Sequence, residues 1–116
     1  MPTIVVVDDH PTFRATACAL LQAEGFAVVG EAADGLTALE VIARLEPDVV
    51  LLDVQLPDID GFEVAARIGA FPRPPRVVLT SSRDARDFGS LIDDSGARGF
   101  IEKAELSGEA VAALIG

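Results

Sequence analysis

Three short apolar runs in the chain each stop at acidic or hydroxyl side chains. Residues 4–7 are followed by Asp8 and Asp9, residues 49–52 by Asp53, and residues 77–79 by Thr80, Ser81 and Ser82. Runs of aliphatic residues that end in turn-forming side chains are typical of parallel strands buried on both faces. The carboxyl ends of such strands share one edge of a sheet, and ligands of open α/β sheets bind outside that edge. We therefore expect these acids and hydroxyls to converge on one site.

Helical spacing of apolar residues fills the intervals between the strands. The first helix is predicted between Pro11 and Gly25, the second between Asp34 and Pro47, and the third from Gly61. Two further strands are predicted over residues 26–32 and 99–101. The last two helices are marked by Phe88, Leu91 and Ile92, and by Ala110, Val111, Leu114 and Ile115 with Ser107 as the cap. Five strands alternating with five helices predict an α/β fold in which a doubly wound parallel sheet carries helices on both faces.

Length and composition narrow the class of protein. A chain of 116 residues suits one domain, which we expect to span residues 1–116. No apolar run approaches the roughly 20 residues that cross a bilayer, and no basic signal-peptide flank follows Met1, so we expect a soluble, cytoplasmic protein. The single cysteine, Cys18, lies in a helical apolar pattern and is interpreted as a core residue. A formal charge of -10 argues against direct binding to nucleic acid or to an anionic membrane surface.

The acids at the predicted sheet edge favour a divalent cation. Asp8, Asp9 and Asp53 repel one another when they are brought together, and a hard cation with oxygen ligands relieves that repulsion. Mg²⁺ is the first choice, because it is held by few protein oxygens and otherwise by water or phosphate. The loop after Asp53 lacks the acid spacing of an EF-hand calcium site. Three nearby polar residues are interpreted as structural, namely His10 at the rim and Asp58 and Asp60 as solvated turn and cap residues.

A carboxylate next to Mg²⁺ can also attack phosphorus and form an aspartyl phosphate. Phosphoryl transfer further needs cationic and hydroxyl donors that position and stabilise the transferred oxygens. The chain supplies both after later strands, because Ser81 lies 28 positions after Asp53 and Lys103 lies 22 positions after Ser81. These residues therefore favour a site for phosphoryl transfer.

Taken together, the motifs resemble the receiver domain of two-component response regulators over essentially the whole chain. They comprise the acid pair after the first strand, Asp53 followed by Leu56, Pro57 and Gly61, Ser81 after the fourth strand, and Phe100 three residues before Lys103. The resemblance implies a flavodoxin-like fold with strand order 2-1-3-4-5. It also implies that Asp53 accepts a phosphoryl group in a Mg²⁺-dependent transfer from a sensor histidine kinase or a phosphotransfer protein.

Roles for individual residues follow from the same resemblance. It implies a Mg²⁺ ion held by Asp9, Asp53 and the backbone carbonyl of Gln55, with Asp8 acting largely through water. It further implies that Ser81 and Lys103 each contact a phosphoryl oxygen. Gln55 and Arg83 occupy positions that in this family affect the lifetime of the phosphoryl group.

In this family, phosphorylation changes the conformation of a surface that binds partners. The resemblance implies that Phe100 swings inward and that the face made by helix four, strand five and helix five changes its preferred partner, with Ser81 as a second switch residue. The same face can pair two copies of the chain as a homodimer. A receiver is not a conventional enzyme, because it catalyses its own phosphorylation and dephosphorylation, here at Asp53.

Several points stay open on the sequence alone. Thr80 is the alternative to Ser81 as the site hydroxyl, because adjacent side chains of a strand point to opposite faces. The site lysine is followed by Ala104 where this family usually has proline, often with a cis peptide bond, which leaves the geometry of that loop open. The pattern at residues 8–11 resembles receivers joined to helix-turn-helix DNA-binding domains. The sequence does not decide between a stand-alone receiver and part of a longer regulator.

Three other functions share features with this chain. A phosphatase of the haloacid dehalogenase type also uses an aspartate nucleophile after a strand, but it needs a second acid two residues later, where this chain has Gln55. A flavodoxin-like electron carrier needs a loop that cradles the flavin phosphate, which the acid pair after the first strand would repel. A receiver-like interaction module that is never phosphorylated is the third alternative.

Overall fold

Strands and helices alternate along the whole chain, which the computed structural model describes from Met1 to Gly116. The strands are β1 (Thr3–Val7), β2 (Ala27–Ala32), β3 (Val49–Asp53), β4 (Arg76–Ser81) and β5 (Gly99–Glu102). The α-helices are α1 (Pro11–Ala23), α2 (Gly35–Leu45), α3 (Gly61–Ile68), α4 (Leu91–Asp94) and α5 (Gly108–Ile115), and short 3-10 helices occupy Ala85–Phe88 and Lys103–Glu105. A membrane-spanning helix is absent, since even α1, the longest at 13 residues, lacks the necessary length.

All five strands are parallel and form one sheet in the order β2-β1-β3-β4-β5. This is the predicted order, so the doubly wound, flavodoxin-like fold class is confirmed. Leu52 of β3 pairs with Val7 of β1, Asp53 pairs with Thr80 of β4, and Ser81 pairs with Glu102 of β5. The carboxyl ends of β1, β3, β4 and β5 therefore lie side by side at one edge of the sheet.

The sheet separates two layers of apolar packing. Side chains alternate across β1, so that Val5 and Val7 face one layer while Ile4 and Val6 face the other. Helices α2 and α3 cover the first layer, and α1 and α5 cover the second. The central strands are buried on both faces, which is why their sequences are continuous apolar runs rather than alternating ones.

Side-chain caps begin three of the helices, as the sequence predicts. Asp34 accepts a hydrogen bond from the N–H of Thr37 at 2.7 Å, Asp60 accepts one from Glu63 at 2.9 Å, and Ser107 accepts one from Ala110 at 3.0 Å. Each cap satisfies a backbone donor that has no partner within its helix. α1 has no side-chain cap and begins at Pro11, which has no N–H to satisfy.

The fourth helix differs from the prediction. Phe88 belongs to the 3-10 helix Ala85–Phe88, and α4 itself is a single turn at Leu91–Asp94. Gly89 separates the two with a φ of +57°, a left-handed conformation that interrupts an α-helix. The apolar spacing still serves packing, because Phe88 and Ile92 both lie against the layer that α2 and α3 cover.

Candidate functional site

Side chains from three strand ends meet at the carboxyl edge of the sheet. Asp8 and Asp9 follow β1, Asp53 ends β3, and Lys103 follows β5. Asp8 and Asp53 are almost completely buried, with 1% and 2% of their surface exposed. The parallel register thus brings together the acids and the lysine that the sequence singles out.

The ammonium group of Lys103 lies between two buried carboxylates. Its Nζ is 2.7 Å from Oδ2 of Asp8 and 3.2 Å from Oδ2 of Asp53. The lysine side chain is 13% exposed, and Nζ lies 4.5 Å from the centre of the Phe13 ring, whose face attracts a cation. The peptide bond between Lys103 and Ala104 is trans. Lys103 therefore partly compensates the charge of the two buried acids.

Backbone donors orient the two buried acids. The N–H of Gln55 donates to Oδ1 of Asp53 at 3.1 Å, and the N–H of His10 donates to Oδ1 of Asp8 at 2.8 Å. In each acid the other oxygen, Oδ2, is the one that contacts Lys103. The backbone therefore fixes which carboxylate oxygens face a cation.

Two contacts fix the backbone positions of Asp8 and Asp53. Arg14 donates to the main-chain carbonyl of Asp8 at 2.6 Å and forms an ion pair with Glu31 at 3.0 Å. On the opposite side, a Cβ at Gly61 would collide with the carbonyl oxygen of Asp53. Only glycine allows the start of α3 to approach the end of β3 so closely.

Burial and neighbouring charges shift the ionisation of the site. Burial raises the pKa of Asp53 above its ordinary value and the charge of Asp8 adds to the shift, while the N–H of Gln55 and the ammonium of Lys103 oppose it. For Lys103, burial disfavours the charged form, but Asp8 and Asp53 outweigh that effect and raise the pKa of the ammonium group. Lys103 is therefore charged at neutral pH, and a further cation would favour the ionised form of Asp53.

The acid cluster has donor atoms available for such a cation. Ligand atoms of Asp8, Asp9, His10 and Asp53 all lie within 4.8 Å of one another. Oδ1 of Asp9 is shielded from solvent and accepts no well-directed hydrogen bond, although Nδ1 of His10 lies 3.1 Å away, so a metal ion beside this oxygen would be favourable. Three carboxylates and one ammonium leave two negative charges uncompensated, which matches the charge of a divalent ion. The oxygen donors therefore fit Mg²⁺.

The two hydroxyls at the end of β4 have different partners. Thr80 donates to the carbonyl of Ile101 on β5 at 2.7 Å, and Ser81 accepts a hydrogen bond from the N–H of Arg83 at 3.0 Å. Both residues are buried. The hydroxyl proton of Thr80 is thus engaged, whereas that of Ser81 is available to another acceptor. Neither hydroxyl is hydrogen-bonded to the acid cluster.

The other predicted site residues lie around the acids. The side chain of Gln55 is exposed, although its backbone N–H reaches the cluster. Arg83 forms an ion pair with Asp87 at 3.3 Å on the surface. Phe100 is half-buried, and its ring centre lies 5.9 Å from that of Phe88. Phe100 therefore contacts the 3-10 helix before α4.

Contacts of Asp58 and His10 near the site, like those of Arg14 and Phe13, were not predicted from the sequence. Asp58, expected to be a solvated turn residue, accepts hydrogen bonds from the N–H groups of Leu36 at 2.9 Å and Gly35 at 2.8 Å, which lower the pKa of its carboxyl. It therefore ties the loop after β3 to the start of α2. His10 is exposed, as a rim residue should be, but its Nδ1 lies 3.1 Å from Oδ1 of Asp9. Adjacency to the acid pair was the one sequence signal for that contact.

Comparisons with known proteins agree with this geometry. A family model described as the response regulator receiver domain matches residues 4–115. The Mycobacterium tuberculosis protein named "Probable transcriptional regulatory protein NarL" is 42% identical over 113 residues, which are 97% of this chain and 52% of that protein. The chain spans about half the length of the curated relatives it matches.

Comparisons with solved structures also match this chain to response regulators. The signal receiver domain of NarL from M. tuberculosis is 39% identical, with a TM-score of 0.88 over 98% of this chain and 95% of that one. A two-component response regulator of the LuxR family from Aurantimonas sp. is 30% identical, with a TM-score of 0.89 over 99% of this chain and 85% of that one. The chain belongs to the family of response regulator receiver domains of two-component systems.

Proposed function

We propose that the chain is a phosphorylation switch in which Asp53 accepts a phosphoryl group from a phosphohistidine of a sensor histidine kinase or a phosphotransfer protein. The observation that carries the proposal is the contact of one ammonium group, that of Lys103, with both Asp8 and Asp53. An acid that merely ends a strand or caps a helix has no need of a buried lysine. Membership of the receiver family supports the same assignment.

The transfer exchanges one bond to phosphorus for another. A carboxylate oxygen of Asp53 forms a bond to phosphorus while the bond between phosphorus and the donor nitrogen breaks. The electron pair of the broken bond stays on the donor ring, which leaves as neutral imidazole when its other nitrogen carries a proton. The product is an acyl phosphate at Asp53.

The site residues would stabilise the charge that the phosphoryl group brings. Lys103, on a flexible side chain, can follow the new charge from the carboxylates to a phosphoryl oxygen. Ser81 can donate its free hydroxyl proton to another of these oxygens. Asp8, Asp9, Asp53 and the carbonyl of Gln55 would hold Mg²⁺, which when bound neutralises the carboxylates and the phosphoryl oxygens.

A shallow depression beside the cluster provides an approach for the donor. It is lined by His10, Thr12, Phe13, Thr16, Ser82 and Lys103. A donor imidazole in this depression meets Lys103 first, with the nearly buried Asp53 beneath it. Movement of the lysine side chain away from Oδ2 of Asp53 would be one step in opening the acceptor to the donor.

The face made by α4, β5 and α5 is the proposed output surface. Phe100 of β5 contacts Phe88, and Phe88 in turn contacts Phe62 of α3 with ring centres 5.7 Å apart. A phosphoryl group that draws Ser81 toward itself would disturb β4, on which β5 is paired. Since α4 is a single turn, little helical stability of its own resists a shift in its position. The shift would change which partner this face prefers, including a second copy of the chain.

Small phosphodonors test the acceptor assignment without a kinase. After incubation with acetyl phosphate and Mg²⁺, we expect intact-mass spectrometry to show a gain of one phosphoryl group on the wild type. The gain should disappear with EDTA and in Asp53→Asn. Asp93→Asn, which removes an exposed acid of α4, is the matched control and should be modified like the wild type.

Three outcomes would contradict the proposal. Modification of Asp53→Asn would place the acceptor elsewhere. The absence of modification with acetyl phosphate and also with a histidine kinase would favour an interaction module that is not phosphorylated. Sustained release of phosphate over many turnovers would favour a phosphatase with an aspartate nucleophile.

A further inference from the structure

The loop between β3 and α3 is closed at its base by one backbone hydrogen bond. The N–H of Gly61 donates to the carbonyl of Val54 at 2.7 Å, so residues 55–60 form the span between the two. The first residue of this span, Gln55, supplies the N–H that donates to Oδ1 of Asp53 at 3.1 Å. The position of the span therefore bears directly on the proposed phosphoacceptor.

Asp58, in the same span, is hydrogen-bonded to a different element. Its Oδ1 accepts from the N–H of Gly35 at 2.8 Å and its Oδ2 from the N–H of Leu36 at 2.9 Å, at the start of α2. The first N–H groups of a helix have no partner within it and carry partial positive charge, so a carboxylate is a strong acceptor for them. These bonds lower the pKa of the Asp58 carboxyl. A charged side chain thus joins the span to α2.

The cap of α2 is a different residue. Asp34 accepts a hydrogen bond from the N–H of Thr37 at 2.7 Å and so satisfies the donor that a cap ordinarily reaches. α2 is also anchored in the core, because Ala38 and Ile42 are 0% and 1% exposed. The helix is therefore a firm support to which Asp58 attaches the loop.

Packing beside the two bonds brings the loop and α2 into close contact. Ile59 lies so near α2 that a Cβ at Gly35 would collide with its side chain. Ile59 and Leu56 both pack against the apolar layer that α2 and α3 cover. The side chains of Gln55 and Asp58 are exposed by contrast, so burial does not hold these two residues. Their backbone positions depend on the hydrogen bonds that the loop makes.

We propose that Asp58 is a positioning residue for phosphoryl transfer, because it pins the loop to α2 and thereby holds the N–H of Gln55 on Oδ1 of Asp53. This inference rests on the proposed function of Asp53. Oδ1 accepts only that hydrogen bond, while Oδ2 contacts Lys103. The carboxylate torsion has broad minima, so a displaced N–H would let the group rotate and turn the attacking oxygen away from the donor.

Labelling with acetyl phosphate at saturating Mg²⁺ tests this role in the wild type, Asp58→Ala, Asp58→Asn and Asp34→Ala. Asp34→Ala is the matched control, because it weakens the start of the same helix without touching the loop. In Asp58→Ala the maximal labelling rate should fall about tenfold, whereas the acetyl phosphate concentration at half-maximal rate should change by less than about twofold. Asp58→Asn keeps one acceptor oxygen and should lie between Asp58→Ala and the wild type. Asp34→Ala should be labelled like the wild type.

The amide proton of Gln55 gives a second readout that needs no phosphoryl donor. In the ¹H–¹⁵N NMR spectrum its resonance should move upfield in Asp58→Ala, because the bond to Asp53 lengthens, and should stay in place in Asp34→Ala. A loss of α2 stability alone would not produce this difference between the two variants.

Failure of this inference can be told apart from failure of the proposed function. Wild-type labelling of Asp58→Ala, an unmoved Gln55 amide in that variant, or an equal loss of rate in Asp34→Ala would overturn the role of Asp58. The last result would mean that the stability of α2 sets the rate. A wild type that acetyl phosphate and a histidine kinase both leave unlabelled would contradict the function of Asp53 instead. The Gln55 amide would then still show whether Asp58 holds the loop.

Discussion

Replacement of Lys103 with methionine removes the ammonium group between two buried acids while keeping most of the side chain. Nζ lies 2.7 Å from Asp8 and 3.2 Å from Asp53, and both acids are almost fully buried. Without the ammonium group, only the backbone N–H groups of His10 and Gln55 offset their charges. The variant should therefore be less stable than the wild type when no metal is present.

The size of the loss follows from the burial of the three groups. Breaking a buried ion pair by removing one partner typically costs about 3–5 kcal/mol. Lys103 is 13% exposed, and the raised pKa of Asp53 lets that acid protonate more easily, so we expect a smaller loss of about 2–4 kcal/mol. Each kcal/mol lowers the Tm of a domain of this size by roughly 4 °C.

Urea unfolding at pH 7 in EDTA, followed by circular dichroism, measures the loss. Arg67→Met is the matched control, because it removes the cation of an exposed pair with Glu63 at 2.9 Å, where both side chains are about half exposed. We expect a loss below about 0.5 kcal/mol in that control.

Added Mg²⁺ gives the second readout, because a divalent ion can replace the missing positive charge. Binding at 100 times Kd adds about 2.7 kcal/mol, so saturating Mg²⁺ should restore most of the stability of Lys103→Met. Two results together would refute the placement of the ammonium group between the carboxylates. Lys103→Met would lose no more free energy of unfolding than Arg67→Met, and Mg²⁺ would stabilise Lys103→Met no more than it stabilises the wild type.

Four further predictions concern the same site. Asp9→Asn should stabilise the metal-free protein, because it removes one of three crowded charges, and should abolish the rise in Tm that Mg²⁺ produces in the wild type; an unchanged Mg²⁺ response would exclude Asp9 as a ligand. Asp53→Asn should stabilise the metal-free protein at pH 7. Because the pKa of Asp53 is raised in the folded state, its charge destabilises the fold above that pKa, and the difference from wild type should vanish as unfolding is repeated toward pH 4. Gly61→Ala should lower the free energy of unfolding by about 1–3 kcal/mol, because its Cβ displaces the backbone of Asp53, and a neutral result in urea would contradict the close approach. Arg14→Gln should weaken Mg²⁺ binding by about tenfold or more in calorimetry, because it frees the carbonyl of Asp8, and an unchanged Kd would show that this bond does not position the acids.

The fold could be predicted because its strands are buried on both faces. Continuous apolar runs such as residues 49–52 are typical of such strands, and the acid or hydroxyl that follows each run marks the strand end. The predicted start of the fourth helix, at Phe88, was wrong for a local reason. The spacing of Phe88 and Leu91 fits a helix, but the left-handed φ of Gly89 between them is not encoded in that spacing.

The site could be predicted only in part, because strand ends fix where side chains begin but not where they point. The convergence of Asp8, Asp53 and Lys103 follows from the parallel register. The contacts of Asp58 do not, since its partners lie 22 and 23 positions earlier in the chain and an exposed acid in a turn gives no sign of them. The contact of His10 with the acids likewise depends on a side-chain direction that spacing alone does not set.

The position of the phosphoryl group in the wild-type chain is the most direct test of the acceptor site. After labelling with acetyl phosphate and Mg²⁺, borohydride reduces an aspartyl phosphate to homoserine, which peptide mass spectrometry locates by residue. We expect homoserine at position 53 and at no other position. Homoserine at position 8 or 9, a phosphoryl group on His10, or an Asp53 that stays unlabelled with acetyl phosphate and with a histidine kinase would contradict the assignment of Asp53 as the phosphoacceptor.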